Sequence, residues 1–71
     1  MMPLTMAASG QEITIRQIHG KDETKRFLEN LGFVEGSRVT VVSEIGGNLI
    51  VTVKDSRVAL SKSMAARILV N

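Results

Sequence analysis

Apolar and polar residues alternate along this chain in short runs, interrupted once by a stretch with helical spacing. From Glu12 to Ile18, Ile13 and Ile15 alternate with Thr14 and Arg16, the period of two expected of a strand with one buried face. Ile18 falls out of phase, which predicts a bulge or bend at the strand end. From Asp22 to Leu31 the spacing changes: Phe27, Leu28 and Leu31 share one helical face, while Lys25, Arg26, Glu29 and Asn30 point elsewhere. Asp22 suits the N-cap, Glu23 the positive helix end, and Asp22 with Arg26 an i,i+4 ion pair. Gly32 suits a left-handed residue that ends the helix. Gly36 suits the third position of a type II turn, Val34-Glu35-Gly36-Ser37.

Beyond that turn the period of two returns. Val39 and Val41 predict a strand from Arg38 to Ser43, with Val42 on its opposite face. Gly46-Gly47-Asn48 reads as a hairpin connection into a strand in which Leu49, Val51 and Val53 alternate with Ile50, Thr52 and Lys54. Asp55-Ser56 returns the chain into Arg57 to Leu60, Ser61 caps a single helical turn from Lys62 to Ala66, and Ile68-Leu69-Val70 closes as the last strand. The expected fold is mainly β: a small, partly open barrel of about five strands, with one short helix after the first strand and a helical turn before the last. Residues 1–9 are expected as a loosely ordered N-terminal segment, with Leu4 or Met6 able to lie against the barrel, and residues 10–71 as one domain.

Composition sharpens this picture by exclusion. A chain of 71 residues buries only about 60% of its unfolded surface, so its core must be dense, and a hydrophobic fraction of 44% allows that. No cysteine is present, which removes disulfides and thiolate metal sites and suits a reducing compartment. The net charge of +2 comes from dispersed cations, chiefly Lys54, Arg57, Lys62 and Arg67, and makes no nucleic-acid footprint. No apolar run approaches the roughly 20 residues of a membrane-spanning helix, and Met1 to Gly10 lacks the layout of a signal peptide.

Catalytic and ligand chemistry find little to work with. His19 is the only histidine, and a metal site would need further convergent ligands beyond the neighbouring Asp22 and Glu23, which read as ordinary capping residues. Six serines with a single histidine assemble no triad, and adjacent carboxylates do not converge on one substrate. Gly46-Gly47 precedes a strand and no Lys-Ser/Thr pair, so it is a hairpin and not a phosphate loop. Phe27 and Phe33 are the only aromatic residues; with Phe27 expected in the core, neither a base-stacking platform nor a proline-peptide groove remains. No catalytic residue, metal ligand or cofactor is expected.

The order and spacing of these elements resemble the FeoA family, ferrous iron transport protein A. The run that carries the resemblance is Lys25-Arg26-Phe27-Leu28, then Leu31-Gly32-Phe33 and Gly36, then Val39 to Val42. It continues through Gly47 to Val53, Val58-Ala59-Leu60, and Ala65 to Val70. Two prolines common in the family are missing, one at the position of Glu35 and one in the loop at 46–48. The resemblance implies an SH3-like barrel and a non-enzymatic, cytoplasmic accessory of bacterial ferrous iron uptake, whose partner is the cytoplasmic region of the permease FeoB. It also extends to the C-terminal SH3-like domain of iron-dependent repressors, a metal-linked regulatory reading that would call for a DNA-binding domain. A small nucleic-acid-binding barrel is the third reading. For a partner surface the residues to expect are Lys25, Arg26, Phe33 and Val34, an apolar centre with a cationic rim. The Lys54/Arg57 hairpin tip is the next candidate.

Overall fold

The strand Glu12–Ile18 (β2) organises the molecule because it is hydrogen-bonded on both sides. In the computed structural model, which describes residues 1–20 and 22–71, β2 is preceded by a two-residue strand Met2–Pro3 (β1) and a single 3-10 turn Leu4–Met6. It is followed by the helix Glu23–Leu31 (α1) and three strands, Arg38–Ile45 (β3), Asn48–Val53 (β4) and Ser56–Ser61 (β5). A short helix Lys62–Ala65 (α2) and the strand Ile68–Val70 (β6) complete the chain. The sheet order is β1-β6-β2-β3-β4-β5, antiparallel throughout. This is the expected mainly β, SH3-like arrangement, with one strand more than the five read from the sequence.

Two bulges bend this sheet around its core. Between Ile15 and Gln17 the register of β2 against β6 shifts, so Ile13, Ile15 and Ile18 are all buried although strict alternation would turn Ile18 outward. The break in phase is therefore a bulge two residues before the end of the strand. The second bulge falls at Val42, between the pairs Val41–Val51 and Ser43–Ile50, and leaves Val42 partly exposed.

The turn between α1 and β3 clamps onto the bent strand. The Ser37 N–H donates to the Val34 carbonyl at 3.0 Å, closing the four-residue turn with Gly36 at φ +88°. From this turn the Gly36 N–H donates to the Ile15 carbonyl and the Ser37 carbonyl accepts from the Ile15 N–H, both at 2.9 Å. The turn thus extends the β2–β3 pairing past its last strand pair, Thr14 with Arg38.

Packing departs from expectation at the N-terminus. Met2 and Pro3 pair with Val70 and Leu69, and Leu4 is completely buried in the same cluster as Ile15, Leu28 and Val70. Residues 2–4 are thus part of the barrel and not a loose segment, because a whole leucine side chain removed from water is worth about 1.5–3 kcal/mol, enough to hold a short strand in place. Met6, the other apolar residue considered, stays exposed. Among the described residues no polar or charged side chain is buried.

Two measurements check this account. Leu4→Ala should cost about 2–5 kcal/mol in a denaturant melt, the range for a fully buried leucine, whereas a dispensable segment would leave the midpoint unmoved. Nothing lies within 4 Å of a Cβ built on Gly36, so the cost of substitution there is purely conformational. Gly36→Val should lose well over about 1 kcal/mol and Gly36→Asn distinctly less, since asparagine tolerates positive φ. Equal losses in the two variants would disprove the turn assignment.

Candidate functional site

Helix α1 is held at both ends by local bonds that its sequence encodes. Asp22 is the N-cap, its Oδ1 accepting from the Thr24 N–H at 3.1 Å. At the other end Gly32 is left-handed, φ +110°; its N–H donates to the Glu29 carbonyl and the Phe33 N–H to the Leu28 carbonyl, each at 3.0 Å. That pair of bonds is a Schellman motif, in which the residue after the glycine commonly packs against the residue whose carbonyl it caps. Phe33 and Leu28 are accordingly both fully buried in one cluster.

This closure overturns one expected surface residue. Phe33 has no exposed surface, so it cannot face a partner, and Phe27, read as core, is 49% exposed. The buried stripe of α1 is Thr24, Leu28 and Leu31, at most half-exposed in each case. Phe27 lies on the margin of that stripe, where the barrel does not reach over it. Lys25 is half-buried, Arg26 exposed and Val34 half-buried. The expected Asp22–Arg26 ion pair is absent: the Asp22 carboxylate serves the cap instead, and among the described residues the ion pairs are Glu12–Arg38 and Glu44–Lys62.

What remains on the outside of α1 is a charged face beside an exposed aromatic ring. Asp22, Lys25, Arg26 and Glu29 border a shallow open depression of about 290 Å³. Its lining of opposed charges differs from the mostly apolar, enclosing walls of a small-molecule pocket. At about 100° per residue, Phe27 projects roughly 200° around the helix from Lys25, with Arg26 between them. The structure therefore brings Lys25 and Arg26 to one face, adds Phe27 beside Arg26, and removes Phe33. A signal for this was present in the order Leu28…Gly32-Phe33, because a Schellman glycine followed by a large apolar residue turns that residue inward.

His19 is exposed and its backbone N–H donates to the Arg67 carbonyl at 2.7 Å. Among the described residues no three His, Asp or Glu side chains converge as a metal-binding group. Among the described residues no helix is long and apolar enough to cross a membrane.

A family model described as the FeoA domain matches residues 2–71, barrel and helix together. The chain belongs to the FeoA family. It is 29% identical over 70 residues to a protein of Methanocaldococcus jannaschii provisionally designated Fe(2+) transport protein A, covering 99% of this chain and 85% of that one. Its fold superposes on the zinc complex of Stenotrophomonas maltophilia FeoA with a TM-score of 0.86 at 32% identity, over 100% of this chain and 91% of that one. That protein is described as a prokaryotic SH3 domain protein and a candidate activating factor of ferrous iron transport. A manganese-dependent transcriptional repressor contains the same barrel, with a TM-score of 0.84 at 25% identity, over 96% of this chain but 39% of the repressor.

The exchange of roles between the two phenylalanines has a direct test. Phe33→Ala should cost about 3–5 kcal/mol, as for any buried aromatic residue, and Phe27→Ala less than about 1 kcal/mol. Chemical denaturation of both variants checks this; the reverse order would restore the reading in which Phe27 is core.

Proposed function

We propose that this FeoA-family chain is a non-enzymatic accessory of ferrous iron uptake that acts in the cytoplasm by contact with the cytoplasmic region of the permease FeoB. The observation that carries the reading is the family match over residues 2–71, joined to relatives named for Fe(2+) transport and its activation. The contact surface in this reading is the exposed side of α1 around Arg26, with Phe27 as apolar anchor on one flank of Arg26 and Lys25 on the other. Phe33, buried, takes no part, and Val34 sits half-buried at the start of the turn. An aromatic ring next to an arginine is the kind of pair that concentrates binding energy in small interfaces. No cofactor enters the proposal; the chain works by holding a partner, not by transforming a substrate.

The likeness to the manganese-dependent repressor supports a second reading, a regulatory module that works beside a DNA-binding unit. The two readings differ in partner, so one binding experiment separates them. The chain should bind the isolated cytoplasmic region of FeoB in calorimetry. Arg26→Glu combined with Phe27→Ser should weaken that binding at least about tenfold, while the melting point and far-UV spectrum stay near wild type. The charge-dependent part of the loss should appear mainly in the association rate and shrink at high salt. Wild-type affinity in the folded double variant would place the contact elsewhere, and no binding by the wild type would favour the regulatory reading.

A further inference from the structure

Strand β5 is an open edge of the sheet, and apart from the exposed Arg57 it carries few of the devices that normally guard one. It runs six residues, Ser56 to Ser61, in unbroken register with β4, without the bulges that interrupt β2 and β3. It contains no proline, and its core-facing residues Val58 and Leu60 place no charge inward. Native edges are usually protected by one of these means.

The direction of its free backbone groups follows from the hairpin. The two-residue turn Lys54-Asp55 makes Val53 and Ser56 the hydrogen-bonded pair that closes it, and such pairs recur at every second residue, Val51 with Val58 and Leu49 with Leu60. The N–H and C=O groups of Arg57 and Ala59, and the N–H of Ser61, therefore point to the open side. Among the described residues no backbone partner takes up these groups.

We propose that β5 pairs with β5 of a second copy of this chain, antiparallel and twofold-symmetric, with Ala59 on the axis. In that register the two Ala59 residues exchange both of their backbone bonds, and each Ser61 N–H meets the Arg57 carbonyl of the other copy. Arg57 stands opposite Ser61, so no like charges face each other, and the small Ala59 side chains meet without steric conflict. Moving the axis to Arg57 would oppose two guanidinium groups, which selects the Ala59 register. The half-buried Val58 falls opposite Leu60 of the second copy and gains apolar cover. A head-to-tail chain of copies is blocked, because the opposite edge, β1, offers only Met2 and Pro3, one of which lacks an N–H. The pairing therefore closes as a dimer and does not grow into a filament. One strand pair is a small interface, so the dimer is expected to be weak.

Sedimentation velocity of the full chain over a rising concentration series tests this. The weight-average mass should climb from that of one chain to that of two and no further, while hydrogen exchange slows at the amides of Ala59 and Ser61. Ala59→Pro removes an outward N–H that β4 does not use, so it should fold with β4 paired and raise the dimer dissociation constant about tenfold or more. Ala59→Lys sets two like charges on the axis without touching the backbone; it should weaken the dimer at low salt and recover partly at high salt. A chain that stays monomeric at its solubility limit, association that continues past two copies, or an Ala59→Lys variant that dimerises like wild type would each overturn the proposal.

Discussion

Both main-chain groups of Ile15 are committed to one neighbour, the turn at Gly36 and Ser37, and its opposite flank lies against Val70 of β6. The rest of the fold depends on that arrangement. A strand shared by two halves of a sheet must bend sharply, and the bulge at Ile15–Gln17 supplies the bend while keeping Ile18 inside. The turn can reach Ile15 only because Gly36 adopts a positive φ, and it is positioned to do so by the Schellman closure of α1 four residues earlier. Helix, turn and bent strand thus form one hydrogen-bonded unit, on which the β3–β4–β5 meander and β6 are assembled.

That unit also decides which face is available for recognition. A helix of nine residues would be marginal alone. It is retained because Leu28 and Phe33, joined through the same closure, bury themselves under it. With the apolar stripe spent on the barrel, the outer face of α1 keeps its charged residues and one aromatic ring, Phe27. As the proposed contact surface, this side of the helix is small and mixed in character. The β5 edge is a separate feature at the far end of the sheet order, carried by backbone groups instead of side chains. The two proposed routes of association would therefore differ in physical chemistry, one sensitive to side-chain charge and the other to the main chain.

Most of the elements were legible along the chain because each has a local cause. Alternation marks β2 through β5, Asp22 and Ser61 cap their helices through side-chain oxygens at 3.1 and 3.3 Å, and the glycines punctuate the turns. The candidate surface was legible only in part. Arg26 is exposed and Lys25 half-buried on α1, and the aromatic member of the group was misassigned. Helical spacing puts Phe27 with Leu28 and Leu31, and only the extent of the barrel decides that Leu28 is covered while Phe27 is left half-exposed. Leu4 was ambiguous for a similar reason: an isolated leucine in a segment without periodicity carries no sign of whether a cavity awaits it.

The sequence by itself determined the number and type of the main elements, their order and the positions of their turns, since capping bonds, backbone handedness and side-chain period act within a few residues. Only the tertiary structure decided that Met2 and Pro3 add a strand beside β6, that β2 is shared between two halves of the sheet, and that Phe33 fills the core while Phe27 faces outward. These depend on which surfaces meet across long sequence separations. Their free energy comes from closing one common core, a property of the assembled barrel that no single segment contains.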